Sequence, residues 1–225
     1  MNRRQGTARG WRALMGAGAV ALGLAVVAPA VDAAAADAPR TDRYTILKDG
    51  DPIGSEDIRF EPQGDALKVS VTTTTRVKVL FVNFRYDHKR DEVWRGGKLE
   101  SVSATTDDDG TPHTLSMARG KDGAYTLTVD GKTSALPADS LPLTLWTRDV
   151  LKRPVLLSVI DGHPYQVRTD SVGNETVTTA GGQAIPTQHH RISGDVDRDL
   201  WFAADGRLVK TQFKRSGYDI VYLLK

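Results

Sequence analysis

The chain has 225 residues, with 30 Lys and Arg against 28 Asp and Glu, and no cysteine. The missing cysteine excludes a disulfide framework, a thiolate metal site, a cysteine nucleophile and a lipidated-cysteine anchor. The slight positive charge resides in the first 35 residues, which hold four Arg and one Asp. The remainder carries 26 basic and 27 acidic side chains, a balance that gives nucleic acid or anionic lipid no bulk attraction.

The N-terminal segment reads as a targeting signal. Arg3, Arg4, Arg9 and Arg12 form a basic region, Ala13 to Ala30 is uncharged and rich in Ala, Gly, Val and Leu, and small residues follow at Ala28-Pro29-Ala30 and Ala33-Ala34-Ala35. Ala and Gly contribute little to membrane insertion and Pro29 interrupts a helix, so a cleaved signal peptide over 1–35 is expected rather than an anchor. Gln5-Gly6-Thr7 after the Arg pair favours general secretion over export of a folded protein. The expected location is periplasmic or secreted, with a flexible stretch at 36–42 and a single β domain at 43–225. The 190 residues after the signal suffice for one domain with a sizeable core.

Turn signals punctuate that domain: Asp49-Gly50, Gly96-Gly97, Asp109-Gly110, Asp122-Gly123, Asp130-Gly131, Asp161-Gly162, Gly181-Gly182, Asp205-Gly206 and Ser216-Gly217. Such pairs supply the positive φ angles of tight hairpins. Between them apolar residues alternate at period two, as in Leu67-Val69-Val71, Tyr125-Leu127-Val129 and Tyr218-Ile220-Tyr222. The apolar positions are odd from Leu67 to Val79 and even from Leu80 to Tyr86. A single strand changes its buried parity only through an extra residue or a bend, so a bulge or corner is predicted within Val79 to Val82. The predicted fold is all-β, a strongly curved antiparallel meander forming a barrel or half-barrel.

One segment departs from this pattern. Ser140 can cap, Pro142 fits a first turn, Leu143, Trp146, Thr147, Val150 and Leu151 follow at helical spacing, and Pro154 forbids continuation. One short helix at about 140–152 is predicted, with Trp146 plugging the sheet.

The residues Tyr44, Gly54, Trp94-Arg95-Gly96-Gly97-Lys98-Leu99, the hairpin Asp107-Asp108-Asp109-Gly110 and the tail Gly194-Asp195, Leu200-Trp201, Asp205-Gly206-Arg207-Leu208-Val209 and Ile220-Val221-Tyr222-Leu223 carry a family likeness. Over about Tyr44 to Leu224 the chain resembles exported bacterial β proteins of the domain-of-unknown-function type, kin to other periplasmic proteins with a Trp-x-Gly-x-Leu hairpin. The resemblance implies a curved antiparallel sheet similar in shape to the half-barrels of bacterial lipoprotein carriers. It implies no catalytic residues.

Constellations that would carry chemistry are sparse. No Gly-x-Ser-x-Gly elbow or phosphate-cradling glycine loop occurs. His189 and His190 are adjacent, and adjacent strand residues point to opposite faces, so they do not chelate one ion. In Asp107-Asp108-Asp109-Gly110 the calcium-loop register fails, with Thr105 and Ser116 at ligand positions, and a hairpin turn explains the run. Asp195, Asp197 and Asp199 would share a strand face, beside Arg191 and Arg198. Asn174-Glu175-Thr176 is a sequon of little weight in an exported bacterial-type chain. No cofactor or metal is expected.

The remaining candidates are aromatic. Tyr86, Trp94, Trp146 and Trp201 are the predicted ligand-lining residues of the concave face, against ordinary core packing. The leading reading is a non-catalytic envelope protein that binds an apolar small molecule, a lipid or an envelope protein. The alternatives are a hydrolase of an envelope polymer acting through carboxylates or His, and a scaffold that pairs through an edge strand.

Overall fold

A computed structural model describes residues 38–79 and 82–225. The predicted signal peptide lies outside the described residues. In one wing, β1 (Arg40–Lys48), β2 (Asp51–Gln63), β3 (Ala66–Val79), β4 (Val82–Arg95), β5 (Lys98–Asp108), β6 (Thr111–Arg119), β7 (Tyr125–Val129) and β8 (Lys132–Leu136) pair in succession. The other wing holds β9 (Val155–Leu157), β10 (Pro164–Thr178), β11 (Ala184–Gly194), β12 (Arg198–Ala203), β13 (Leu208–Arg215) and β14 (Tyr218–Leu224). Antiparallel pairing of β1 with β14, from Tyr44 opposite Leu224 to Lys48 opposite Ile220, joins the wings into one 14-stranded sheet whose edges are β8 and β9. Arg40 to Asp42, expected in the flexible stretch, belong to β1, and Asp42 is buried.

All nine turn dipeptides lie between consecutive strands. Asp49-Gly50, Gly96-Gly97, Asp109-Gly110, Asp130-Gly131 and Ser216-Gly217 have positive φ at both residues. That geometry matches the right-handed twist of the flanking strands. In the acidic hairpin Asp107 accepts a hydrogen bond from the Gly110 amide at 2.6 Å, a turn role rather than a cation role.

The sheet curls onto itself. β5 and β13 are six strands apart in the sheet, about 29 Å if it were flat. Yet Arg215 on β13 lies 3.5 Å from Asp108 on β5, and its guanidinium stands 5.3 Å over the Phe84 ring of β4. The Tyr44 hydroxyl reaches past β14 to donate to the Leu208 carbonyl at 2.8 Å. Near the edges, Gly162 in the β9–β10 connection packs against Leu127 and Val129 of β7. The enclosed face carries Val69, Leu200, Phe202 and Ile192, all essentially without solvent contact. Burial of this apolar face is the main stabilising term for a chain without disulfides.

Two sequence expectations are corrected. The predicted helix at 140–152 is a five-residue 3-10 turn at Arg148–Lys152, with the Thr147 hydroxyl, not Ser140, accepting the cap bond from the Asp149 amide. Upstream of it the backbone bonds to strand instead: the Leu143 amide donates to the Leu157 carbonyl, the Leu157 amide to the Leu141 carbonyl, and Pro142 forms a parallel bridge with Leu157. These tertiary bonds use groups that a helix would need for itself, and they cover the edge of β9. The predicted bulge within one long strand is also replaced. β3 ends at Val79, β4 begins at Val82, and the two pair along their full lengths; Leu80 and Phe81 lie outside the described residues. Val77 opposes Phe84 and Thr75 opposes Tyr86, so odd residues of β3 share a face with even residues of β4. The parity change is the arithmetic of a reversal.

Gly54 shows how tightly β2 and β3 approach. It lies opposite Thr75, and a Cβ built on it would overlap the Thr74 carbonyl oxygen, a backbone atom that cannot swing away. Gly54→Ala is therefore expected to destabilise the fold by about 1–3 kcal/mol in urea unfolding, and an unchanged midpoint would refute the close approach.

Candidate functional site

Strand pairing stacks the interior in levels. Across β1 to β5, one row runs Tyr44, Glu56, Thr73, His88, Thr106. Towards one end of the strands the next row runs Asp42, Ile58, Val71, Arg90, Ala104 and the one after it Phe60, Val69, Glu92, Val102, so Arg90 and Glu92 share the face of β4 that carries His88. Towards the other end the row is Ile46, Gly54, Thr75, Tyr86, and beyond it the interior opens into a cavity.

Below the cavity, Glu92 is wholly buried and accepts four hydrogen bonds. Arg90 Nε and Thr144 Oγ1 donate to its Oε1, each at 2.7 Å, while Trp94 Nε1 and Trp146 Nε1 donate to Oε2 at 2.8 and 3.0 Å. Thr144 and Trp146 come from the segment between β8 and β9, so this carboxylate latches the crossing segment to β4. Trp146 packs edge-on against Trp94 and Phe60, with ring centroids 5.1 and 5.4 Å apart. His88 extends the network. Arg90 can only donate, so His88 Nε2 accepts at 3.2 Å, and the ring proton rests on Nδ1, which faces Thr106 Oγ1 at 2.8 Å. Burial, with the neighbouring guanidinium, pushes the His88 pKa down to about 3. Glu56 accepts from Thr73 Oγ1 at 2.7 Å, and its burial raises its pKa. With every polar group tied to a neighbour, this layer is a structural floor.

The cavity above that floor encloses about 510 Å³, within the range of small-molecule sites. Val77, Phe84, Phe213 and Ile220 give it apolar walls, and Leu143, Val159 and Ile160 close the side between the sheet edges. Tyr86, Tyr165 and Tyr222 add phenols. Burial pushes the Tyr86 pKa up to about 12 and raises that of Tyr222, so both hydroxyls are protonated donors at neutral pH. Tyr218, 41% exposed, marks the rim. Lys48, Arg198 and Arg215 also line it, and among the described residues the lining has no carboxylate.

Of the four predicted lining residues, Tyr86 lines this cavity. Trp94 and Trp146 belong to the floor, where both indole N–H groups bind Glu92. Trp201 lies elsewhere. It opposes His189 in the sheet and, one residue after the inward Leu200, faces away from the cavity. There it stacks on the His189 ring at 4.2 Å and donates to Glu175 Oε2 at 2.9 Å. His189 sits between two carboxylates, Glu175 Oε1 at Nδ1 and Asp199 Oδ1 at Nε2, both at 2.8 Å. Both ring nitrogens thus face carboxylates within the sheet rather than an open cleft. His190 points the other way, towards Phe202, as strand alternation requires.

The three aspartates expected on one face are separated. Asp195 accepts from the Gln166 amide at 2.7 Å, Asp199 binds His189 and Arg191, and β12 begins only at Arg198. No group of three potential metal ligands occurs among the described residues. No described helix is long and apolar enough to cross a membrane. Tyr165, an aromatic that the sequence also offers for the concave groove, lines the cavity, whereas Arg198 and Tyr222 are lining residues that sequence reading misses. Tyr222 was visible in the C-terminal alternation. Arg198 was assigned only to neutralising aspartates.

No curated protein matches the chain. Among solved structures it is similar to a β-barrel-like protein of domain of unknown function DUF1849 from Brucella abortus, with a TM-score of 0.62 and 9% identity over 84% of this chain and 96% of that one. At that identity the likeness concerns the fold. In sequence, residues 44–225 match DUF6134, a domain of unknown function, and this match begins at the Tyr44 that anchors β1 to β13. The chain belongs to the DUF6134 family.

Proposed function

We propose that this protein is a non-catalytic binding protein that holds an apolar or amphipathic small molecule in the cavity at the end of its curled sheet. The observation that carries this reading is the cavity itself: about 510 Å³, walled mainly by aliphatic and aromatic side chains, and reached past Tyr218. A space of that composition favours an apolar guest over water. The engagement of both nitrogens on His88 and on His189 supports binding over hydrolysis. The signal-like first 35 residues support action outside the cytoplasm, where the partner would be an envelope lipid or another amphiphile.

Titration with N-phenyl-1-naphthylamine, a neutral apolar dye, tests this reading. The expected result is saturable binding of one dye per chain, weakened on the order of tenfold by Ile220→Trp, which fills the cavity while leaving the polar floor intact. Absence of saturable binding, or identical affinity in the filled variant, would remove the cavity as the site.

A further inference from the structure

Resting on that reading, the charge of the cavity narrows its ligand. The lining combines three cations with no carboxylate among the described residues, an imbalance in a chain whose overall charges nearly cancel. Two of the cations have partners. Lys48 lies 3.3 Å from Asp49 and its ammonium stands 3.5 Å over the Tyr218 ring, at the rim. Arg215, half exposed, faces Asp108 at 3.5 Å.

Arg198 differs. It projects from β12 over Phe213, with its guanidinium carbon 3.9 Å from the ring centroid. Its Nε is buried and has no hydrogen-bond partner. No described carboxylate lies within ion-pair distance, and none of its nitrogens donates to a described protein atom. A guanidinium held this way is the costly half of an ion pair whose other half is missing. Desolvation accordingly lowers its pKa. The hydroxyls of Tyr86, Tyr165 and Tyr222, which border the same cavity, likewise make no hydrogen bond to a described protein atom. The nearest carboxyl in charge terms, Glu56, is turned to Thr73 in the floor.

We infer that the cavity binds a monoanionic amphiphile, its acidic head group paired with the Arg198 guanidinium and hydrogen-bonded by the tyrosine hydroxyls, its hydrocarbon against Phe84, Val77 and Ile220. One partly buried, unpaired cation is neutralised by one negative charge, and a dianion would leave an excess charge in an apolar space. The planar guanidinium suits a carboxylate or a phosphodiester, both of which present two oxygens to its fork. The Phe213 ring, 3.9 Å from the guanidinium carbon, supports the charge from one side. A neutral hydrocarbon would leave Arg198 and the phenols unpaired, so the site discriminates against it.

Displacement of N-phenyl-1-naphthylamine from the native protein tests this with three probes of equal chain: oleate, oleyl alcohol and oleoyl-lysophosphatidylglycerol. Oleate is expected to bind tighter than oleyl alcohol by on the order of tenfold to a hundredfold. Arg198→Met is expected to erase that preference, read as the ratio of oleate to oleyl alcohol affinity within the variant, and Arg198→Lys to retain part of it. Tighter binding of the lysophospholipid than of oleate would assign the anion as a phosphodiester and support the inference equally. Equal affinity of native protein for oleate and oleyl alcohol would overturn the head-group site yet leave the apolar cavity standing, and needs no variant to fold. Failure of the dye and all three probes to bind would overturn both.

Discussion

Glu92→Ala is expected to destabilise the protein by about 3–5 kcal/mol, enough to unfold a marginal domain. The carboxylate is fully enclosed and receives Arg90, Thr144, Trp94 and Trp146. Truncation leaves the Arg90 guanidinium buried without its counter-charge and strands two indole N–H groups, so the loss exceeds that of any single hydrogen bond. It also loosens the segment between β8 and β9, because Thr144 and Trp146 both donate hydrogen bonds to this side chain. Urea unfolding followed by tryptophan fluorescence reads both effects, since Trp94 and Trp146 report on the latch itself. The double variant Arg90→Met, Glu92→Leu is expected to recover part of the loss, because it leaves no unpaired charge. A drop below about 1 kcal/mol for Glu92→Ala would show that the network is solvated rather than enclosed.

Acid is expected to weaken the fold through His88. Its pKa is about 3 in the folded chain, where burial and the Arg90 guanidinium disfavour the imidazolium, against an ordinary value of 6.5 in the unfolded one. Between those values the unfolded state takes up a proton that the folded state refuses. Stability therefore falls as pH drops through this window, by up to about 1.4 kcal/mol per pH unit. Glu56 has the opposite sign. Its raised pKa means that the folded chain keeps a proton the unfolded chain has released, so its contribution declines as pH rises above 4.5. The informative comparison is thus between native protein and His88→Gln at pH 7 and pH 4. The native protein is expected to lose about 3 kcal/mol more than the variant over that interval. Equal losses would mean that His88 is protonated within the fold, and the assignment of its proton to Nδ1 would fail.

Much of the architecture was legible because it depends on local rules. Nine turn dipeptides mark nine strand junctions, since Gly and Asp tolerate the positive φ that tight reversals require. The junctions missed are those without such a pair in view. β2 and β3 are joined through Gly64-Asp65, β11 and β12 through a short polar stretch after Gly194, and β3 and β4 where neither Gly nor Asn occurs. Lacking a turn signal, the last reads as a bend in the sequence, although the parity switch that marks the reversal is explicit there. The helical spacing of Leu143, Trp146 and Val150 misled for a different reason. Local periodicity was overridden by backbone bonds to β9 and by the pull of Glu92 on Thr144 and Trp146.

The site was only partly legible. The inward face of β4 was identified at Phe84 and Tyr86, and the same parity extends to His88, Arg90, Glu92 and Trp94. Those charged residues resemble a solvated run, and only their hydrogen-bond partners, 18 to 54 positions away, make them interior. Trp201 illustrates the converse, an aromatic whose strand faces it away from the hollow.

Period-two alternation and positive-φ turn residues, properties of adjacent peptide units, determined from the sequence that this chain is an antiparallel meander. Which side chains enclose the cavity, and that Arg198 within it lacks a counter-charge, was decided only when β1 met β14 and the sheet curled. Distances between residues remote in sequence are set by that closure, and no local pattern encodes them.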